Sequence, residues 1–180
     1  MEGKAVLKLV DMNVIAKYVY EEYYTEKGKK ITHSYSSNKP IQLFEGMFGL
    51  IEHKNNIDSH IRIHTSNREF NQSPKKVSMD SIEFEKYFNV LSDDKVVAAR
   101  IVTSDIMEVL LDFYKKHYLE FEIILYKEKI YMRFFTGPMY EPGIFGKSLS
   151  KECLAAYYVL LKFIIDLSKE IDKTMKNFEY

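Results

Sequence analysis

Phe121-Glu122-Ile123-Ile124-Leu125-Tyr126-Lys127-Glu128-Lys129-Ile130-Tyr131-Met132-Arg133-Phe134-Phe135 holds two alternating arms. Phe121, Ile123 and Leu125 make one, and Ile130, Met132 and Phe134 the other. Apolar residues at every second position mark a strand with one face against a core. The charged break Lys127-Glu128-Lys129 between them reads as the turn of a β-hairpin. The opposite face, Glu122, Ile124, Tyr126, Tyr131, Arg133 and Phe135, is only half polar, so both faces are expected to be partly covered.

Upstream, the period changes from two to that of a helix. Thr103 is placed to cap a helix whose first turn carries Asp105, and Ile106, Val109, Leu110, Phe113 and His117 follow at spacings of three and four. A cationic His117 ring would be favourable at the carbonyl end of that helix. Downstream, a connection rich in Pro and Gly runs from Pro138 to Gly146, and Ser148 is expected to cap a long helix ending near Met175. Its buried stripe is Cys153, Tyr157, Leu160, Ile164, Ile171 and Met175, with Lys162, Asp166, Lys169, Lys173 and Lys176 on the wet side. The first half reads as strands. Val14 to Tyr35 alternates on both sides of Glu26-Lys27-Gly28-Lys29 and is expected to form a hairpin, although Ile15 and Val19 blur its first arm. Leu43 to Ile51 is a second strand, with Gly46 and Gly49 suggesting a bulge or close backbone approach. A turn at His53-Lys54-Asn55-Asn56 leads to another strand over His60 to Thr65. Asn67 to Pro74 is the expected mobile loop, and Lys76 to Met79 a short strand. The Phe84 region has no decisive pattern. These elements imply one soluble α+β domain over residues 1–180, its sheet mainly antiparallel and its helices on one face.

Composition narrows the functional classes. The 26 basic and 26 acidic residues cancel, so no overall field draws phosphate backbones, and no nucleic acid partner is expected. The single cysteine, Cys153, excludes an internal disulfide framework, reads as a small buried hydrophobe, and is compatible with the cytoplasm. No signal peptide is evident from Met1 to Val10. Leu154 to Leu167 is interrupted by Lys162 and Asp166 and is too short to span a bilayer.

The chemical motifs are sparse. His60-Ile61-Arg62-Ile63-His64 would pair its histidines on a helix, but on a strand they stand about 13 Å apart and cannot share an ion. We read that segment as a solvated basic stripe and expect no metal and no cofactor. No GxSxG elbow accompanies the serines. Gly146-Lys147-Ser148 resembles the end of a P-loop, but the required glycine position holds Glu141. Asp93, Asp94 and Arg100 flank the apolar Val96-Val97-Ala98-Ala99. Paired charges so placed fix a turn more often than they catalyse, yet a guanidinium beside an apolar run calls for a partner. No catalytic residue is expected. Arg100, Asp94, Asp93 and Glu141 are the candidate ligand-binding residues.

Phe44-Glu45-Gly46-Met47-Phe48, then Phe84, Phe88, Val90, Asp94, Ala99, Arg100, Thr103 and Met107, then Tyr140-Glu141-Pro142 and the closing helix resemble a bacterial family catalogued as domain of unknown function 3137. The resemblance covers about residues 41–173. Ser104 stands where that family often has proline at the first helical position. Many relatives resemble membrane proteins with hydrophobic helices ahead of the soluble domain, and no such helix occurs here. The resemblance implies no substrate and no catalytic set. The expected function is a non-catalytic binding or scaffolding domain, cytoplasmic and beside a membrane through a protein partner. The alternative is an enzyme or sensor for a small polar or anionic ligand near Arg100, and the oligomeric state is open.

Overall fold

A computed structural model describes residues 6–16, 19–26, 29–36, 41–66, 74–137 and 150–176. Its main sheet is five-stranded and antiparallel. The central strand is β4 (Ile41–Thr65). On one side its first half pairs with β1 (Val6–Ala16) and its second half with β6 (Phe88–Ser92), which in turn pairs with the short β5 (Lys76–Val77). The fold is α+β, as the pattern of elements requires.

The remaining main-sheet strand corrects the reading of residues 121–135. Phe121–Phe134 is one strand, β7, and both expected hairpin arms pair with β4: Leu125 lies opposite Ile61 and Ile130 opposite Ile51. Between these two runs β4 has more residues than β7, with register shifts between Glu52 and Ile57 and between Ile57 and Ile61. Lys127 takes a left-handed conformation, φ 54°, at that place. A bulged strand pair bends there without reversing. The same event explains why the expected turn at 53–56 is instead part of β4. A bend that shifts the buried positions from odd to even gives the same sequence pattern as a hairpin.

The N-terminal hairpin also lies differently. It comprises β2 (Val19–Glu26) and β3 (Lys29–Ser36), with Val19 opposite Ser36 and Glu26 opposite Lys29, in a separate two-stranded sheet. Val14 to Ala16, expected in its first arm, belong instead to β1, and the pairing of β1 with β4 slips between Val14 and Ile15. Gly46 has φ 145°, and a Cβ there would collide with the Phe134 carbonyl oxygen. Close backbone approach therefore requires glycine at that position. Gly49 is under no such constraint, since a Cβ would meet only side chains at ordinary contact distance.

The unresolved Phe84 pattern is a junction. α1 (Ile82–Tyr87) is capped by Ser81, whose hydroxyl accepts from the Phe84 amide at 3.2 Å, and β6 begins at the next residue. Phe84 and Phe88 are buried and stack at 4.9 Å. α2 (Lys95–Ile101) and α3 (Ser104–His117) follow. Thr103 occupies the cap position of α3, but its hydroxyl makes no capping bond.

The long helix α4 is Lys151–Lys176. The residue before it, Ser150, accepts from the Cys153 amide at 3.1 Å and so serves as its cap; Ser148 lies outside the described residues. The buried stripe is Leu160, Phe163, Ile164, Leu167, Ile171, Thr174 and Met175, while Cys153 and Tyr157 are only half-buried. Phe163 stacks on Phe113 of α3 at 3.8 Å and meets Phe121 and Phe134 of β7 at 5.5 and 5.9 Å. This aromatic knot holds α3 and α4 on the inner face of the sheet, against Met47, Ile61, Ile63, Ile123, Ile130 and Met132. Burial of this apolar area is the main stabilising term.

Candidate functional site

Ser92, Asp93 and Asp94 form the corner between β6 and α2. Asp94 is the N-cap of α2, its carboxylate accepting from the Val96 and Val97 amides at 2.8 and 3.1 Å. Such a cap satisfies donors that the first helical turn cannot. Asp93 accepts from the Ser59 hydroxyl and, at 3.0 Å, from the His60 amide. The Ser59 bond in particular favours the ionised form and lowers the Asp93 pKa. Ser59 and Ser92 share a hydrogen bond at 3.0 Å. Together these bonds tie the bulged part of β4 to the corner.

Arg100 lies in the last turn of α2, exposed, with no ion pair among the described residues. It lies six positions beyond Asp94, about 9 Å along the axis at about 1.5 Å per residue. Arg100 and the two aspartates therefore sit at opposite ends of α2. Glu141 lies outside the described residues.

A second polar cluster went unread in the sequence. Glu122 of β7 is buried, its side chain 1% exposed, and accepts from Arg62 of β4 and Arg133 of β7. The Arg133 guanidinium also lies 5.8 Å from the ring centres of both Phe44 and Phe135. Stacking and bidentate pairing suit a guanidinium better than an ammonium here. His64 stands opposite Glu122 in the ladder, 4% exposed, its Nδ1 3.0 Å from the Thr65 carbonyl oxygen. Burial is the first cause that lowers its pKa. The solvated basic stripe expected over His60 to His64 is thus corrected: Arg62 is engaged by a buried carboxylate and His64 is in the interior. Alternation exposed these positions to the outer face, and the partner Glu122 was too distant in sequence to be seen.

Two further histidines are buried or packed. His53, 9% exposed, has neither ring nitrogen hydrogen-bonded among the described residues. Desolvation lowers its pKa, against the opposing fields of Asp172 and Glu128. His117 packs on Phe113 at 4.9 Å, and its pKa is lowered by burial and then by Lys116. The cationic role expected at the end of α3 is therefore disfavoured.

A cavity of about 340 Å³ opens between the end of α3 and the start of α4, lined by Phe113, His117, Leu119, Thr136, Ala156, Val159 and Leu160. Another, about 360 Å³ and more polar, lies between α1 and α3 beside Glu83, Glu108, Asp112 and Lys115. Asp93, Asp94 and Arg100 line neither cavity. Among the described residues no three His, Cys, Asp or Glu side chains gather as a metal site, and no helix is long and apolar enough to cross a membrane.

The outer side of α4 carries the other surface of note. Leu154, Tyr158, Leu161 and Ile165 are exposed at spacings of four, three and four.

No curated protein and no solved structure matches the chain. A family model does, over residues 42–173, from the second residue of β4 through nearly all of α4, and it carries the description protein of unknown function (DUF3137). The expected resemblance is thereby shown, and the chain belongs to the DUF3137 family.

Proposed function

We propose that the chain is a non-catalytic binding or scaffolding domain that works in the cytoplasm, beside a membrane, by contact rather than turnover. The observation that carries this reading is the contrast between its polar and apolar groups. Asp94 caps a helix, Asp93 ties a bulge, and Glu122 is enclosed by Arg62 and Arg133, while the apolar row on α4 faces outward. Isolated exposed apolar residues are ordinary, but an ordered row of four on one helix favours an interaction surface. A broad screen of metabolites for turnover by the purified chain is expected to give none. Turnover that disappears in a still-folded Arg100→Ala chain would overturn the reading.

One observation favours a second reading, a sensor or enzyme for a small polar or anionic ligand near Arg100. The Arg100 guanidinium is exposed without a carboxylate partner among the described residues, and so could be answered by an added anion. A ligand that raises the melting temperature of the wild-type chain but not of Arg100→Ala would support it. Equal stabilisation of both chains would exclude Arg100 as the anchor.

A further inference from the structure

At 3.6 residues per turn, Leu154, Tyr158, Leu161 and Ile165 fall within an arc of roughly 60° and run along about 16 Å of helix. The buried residues of α4 face the sheet, and this row lies on the outward flank next to them, with Leu161 and Ile165 37% and 40% exposed. Lys151, Lys162 and Lys169, all exposed, line one edge of it. Glu152 and Glu170 fall on a different side by the same helical geometry, and Glu170 accepts from Lys173 at 3.1 Å. Asp166 answers Lys169 at 3.9 Å. Half-buried Asp172 falls within the row's own arc and exposed Lys176 at its edge, which leaves Lys151 and Lys162 as the excess positive charge beside the row.

We infer that this face of α4 rests on an anionic lipid surface. The proposal rests on the binding reading above and names its partner. An amphipathic helix lies in the headgroup region with apolar side chains inserted and lysines reaching to anionic headgroups. Tyr158 brings an apolar ring with a polar tip, which suits the same boundary. Shape and charge both separate this occupant from the others. The row lines neither described cavity, and a lipid surface needs none. In an antiparallel two-fold pair of α4 helices the edge bearing Lys151, Lys162 and Lys169 would face its own copy, placing like charges together. Four side chains over three turns also fall short of the roughly 800 Å² per partner of a stable interface.

The test is co-sedimentation of the full chain with phosphatidylglycerol-containing vesicles and with pure phosphatidylcholine vesicles. Wild-type protein is expected to sediment with the anionic vesicles, and Leu161→Asp combined with Ile165→Asp to lower the partition coefficient about tenfold or more. Lys151→Glu with Lys162→Glu is expected to abolish the preference for anionic vesicles. Circular dichroism checks that these surface variants remain folded. Failure to sediment with either vesicle overturns the inference and leaves the face to a protein partner, as does sedimentation unaffected by the aspartate pair. A dimer mass in light scattering that the aspartate pair reduces to a monomer also overturns it. Metabolite turnover would remove the non-catalytic reading without altering the vesicle result, so the two failures are distinguishable.

Discussion

Glu122 is held in a buried site by two arginines, and its replacement asks more of the fold than any surface pair does. Glu122→Ala leaves the Arg62 and Arg133 guanidinium groups without their shared carboxylate. Breaking a buried pair by removing one partner costs about 3–5 kcal/mol. Urea denaturation should show that loss, while Glu83→Ala, which removes an exposed partner of Lys115, should leave the midpoint unchanged. His53 makes a different prediction. Burial lowers its pKa from 6.5, so the unfolded chain binds the proton more readily than the folded one. The stability it contributes is complete above pH 6.5 and is lost as pH falls from there towards the lower folded value. His64 and His117 are shifted in the same direction. Between pH 7.5 and 5.5, His53→Gln should flatten the fall in unfolding free energy relative to wild type. An unchanged slope would assign the acid sensitivity to the other histidines.

The elements show where the sequence speaks for itself and where distant residues decide. Of the helices, α3 and α4 were legible, because each buries a stripe of period 3.6 and carries lysines in its last turn, while the short α1 and α2 have too few turns to show a stripe; the cap at Ser150 in place of the expected Ser148 is a local detail. The strands of β4 and β7 were legible as strands but not as partners. Alternation fixes which face a residue takes, while the continuity of β7 past Lys127 depends on β4 supplying the extra residues of the bulge. The Glu122 cluster was hidden for the same reason, since Arg62 and Glu122 are brought together only by that ladder. Of the candidate ligand residues, Asp94 caps α2, a helix that the sequence reading did not place, and its test is direct. Asp94→Asn retains a capping oxygen and should leave stability nearly intact, whereas Asp94→Ala should cost about 1 kcal/mol. If both reduce binding of a ligand equally at unchanged stability, the carboxylate has a role beyond the cap. On β4, Gly46→Ala must meet both a positive φ and the Phe134 carbonyl oxygen, and should cost about 3 kcal/mol. Gly49→Ala, with only ordinary contacts, should cost far less.

At the scale of the molecule, the β2–β3 hairpin stands apart from the sheet that carries the core. Among the described residues its strands pair with each other and with no strand of the main sheet. The match to the DUF3137 family begins at residue 42, after the hairpin has closed. The main sheet is already joined on either side of the excursion, because Ala16 of β1 lies opposite Ile41 of β4. Paired residues in an antiparallel ladder are about 5 Å apart, close enough for a two-residue Asn-Gly turn to connect them. Replacing residues 17–40 with such a turn would keep the β1–β4 register and remove the entropy of closing a long loop. The shortened chain should therefore fold with the same α4 packing, and its melting temperature should match or exceed that of the full chain. Loss of cooperative melting would mean that the hairpin supports the sheet through contacts other than strand pairing. Retained folding would show the hairpin to be a dispensable arm, and the sheet with α4 to be the folding unit.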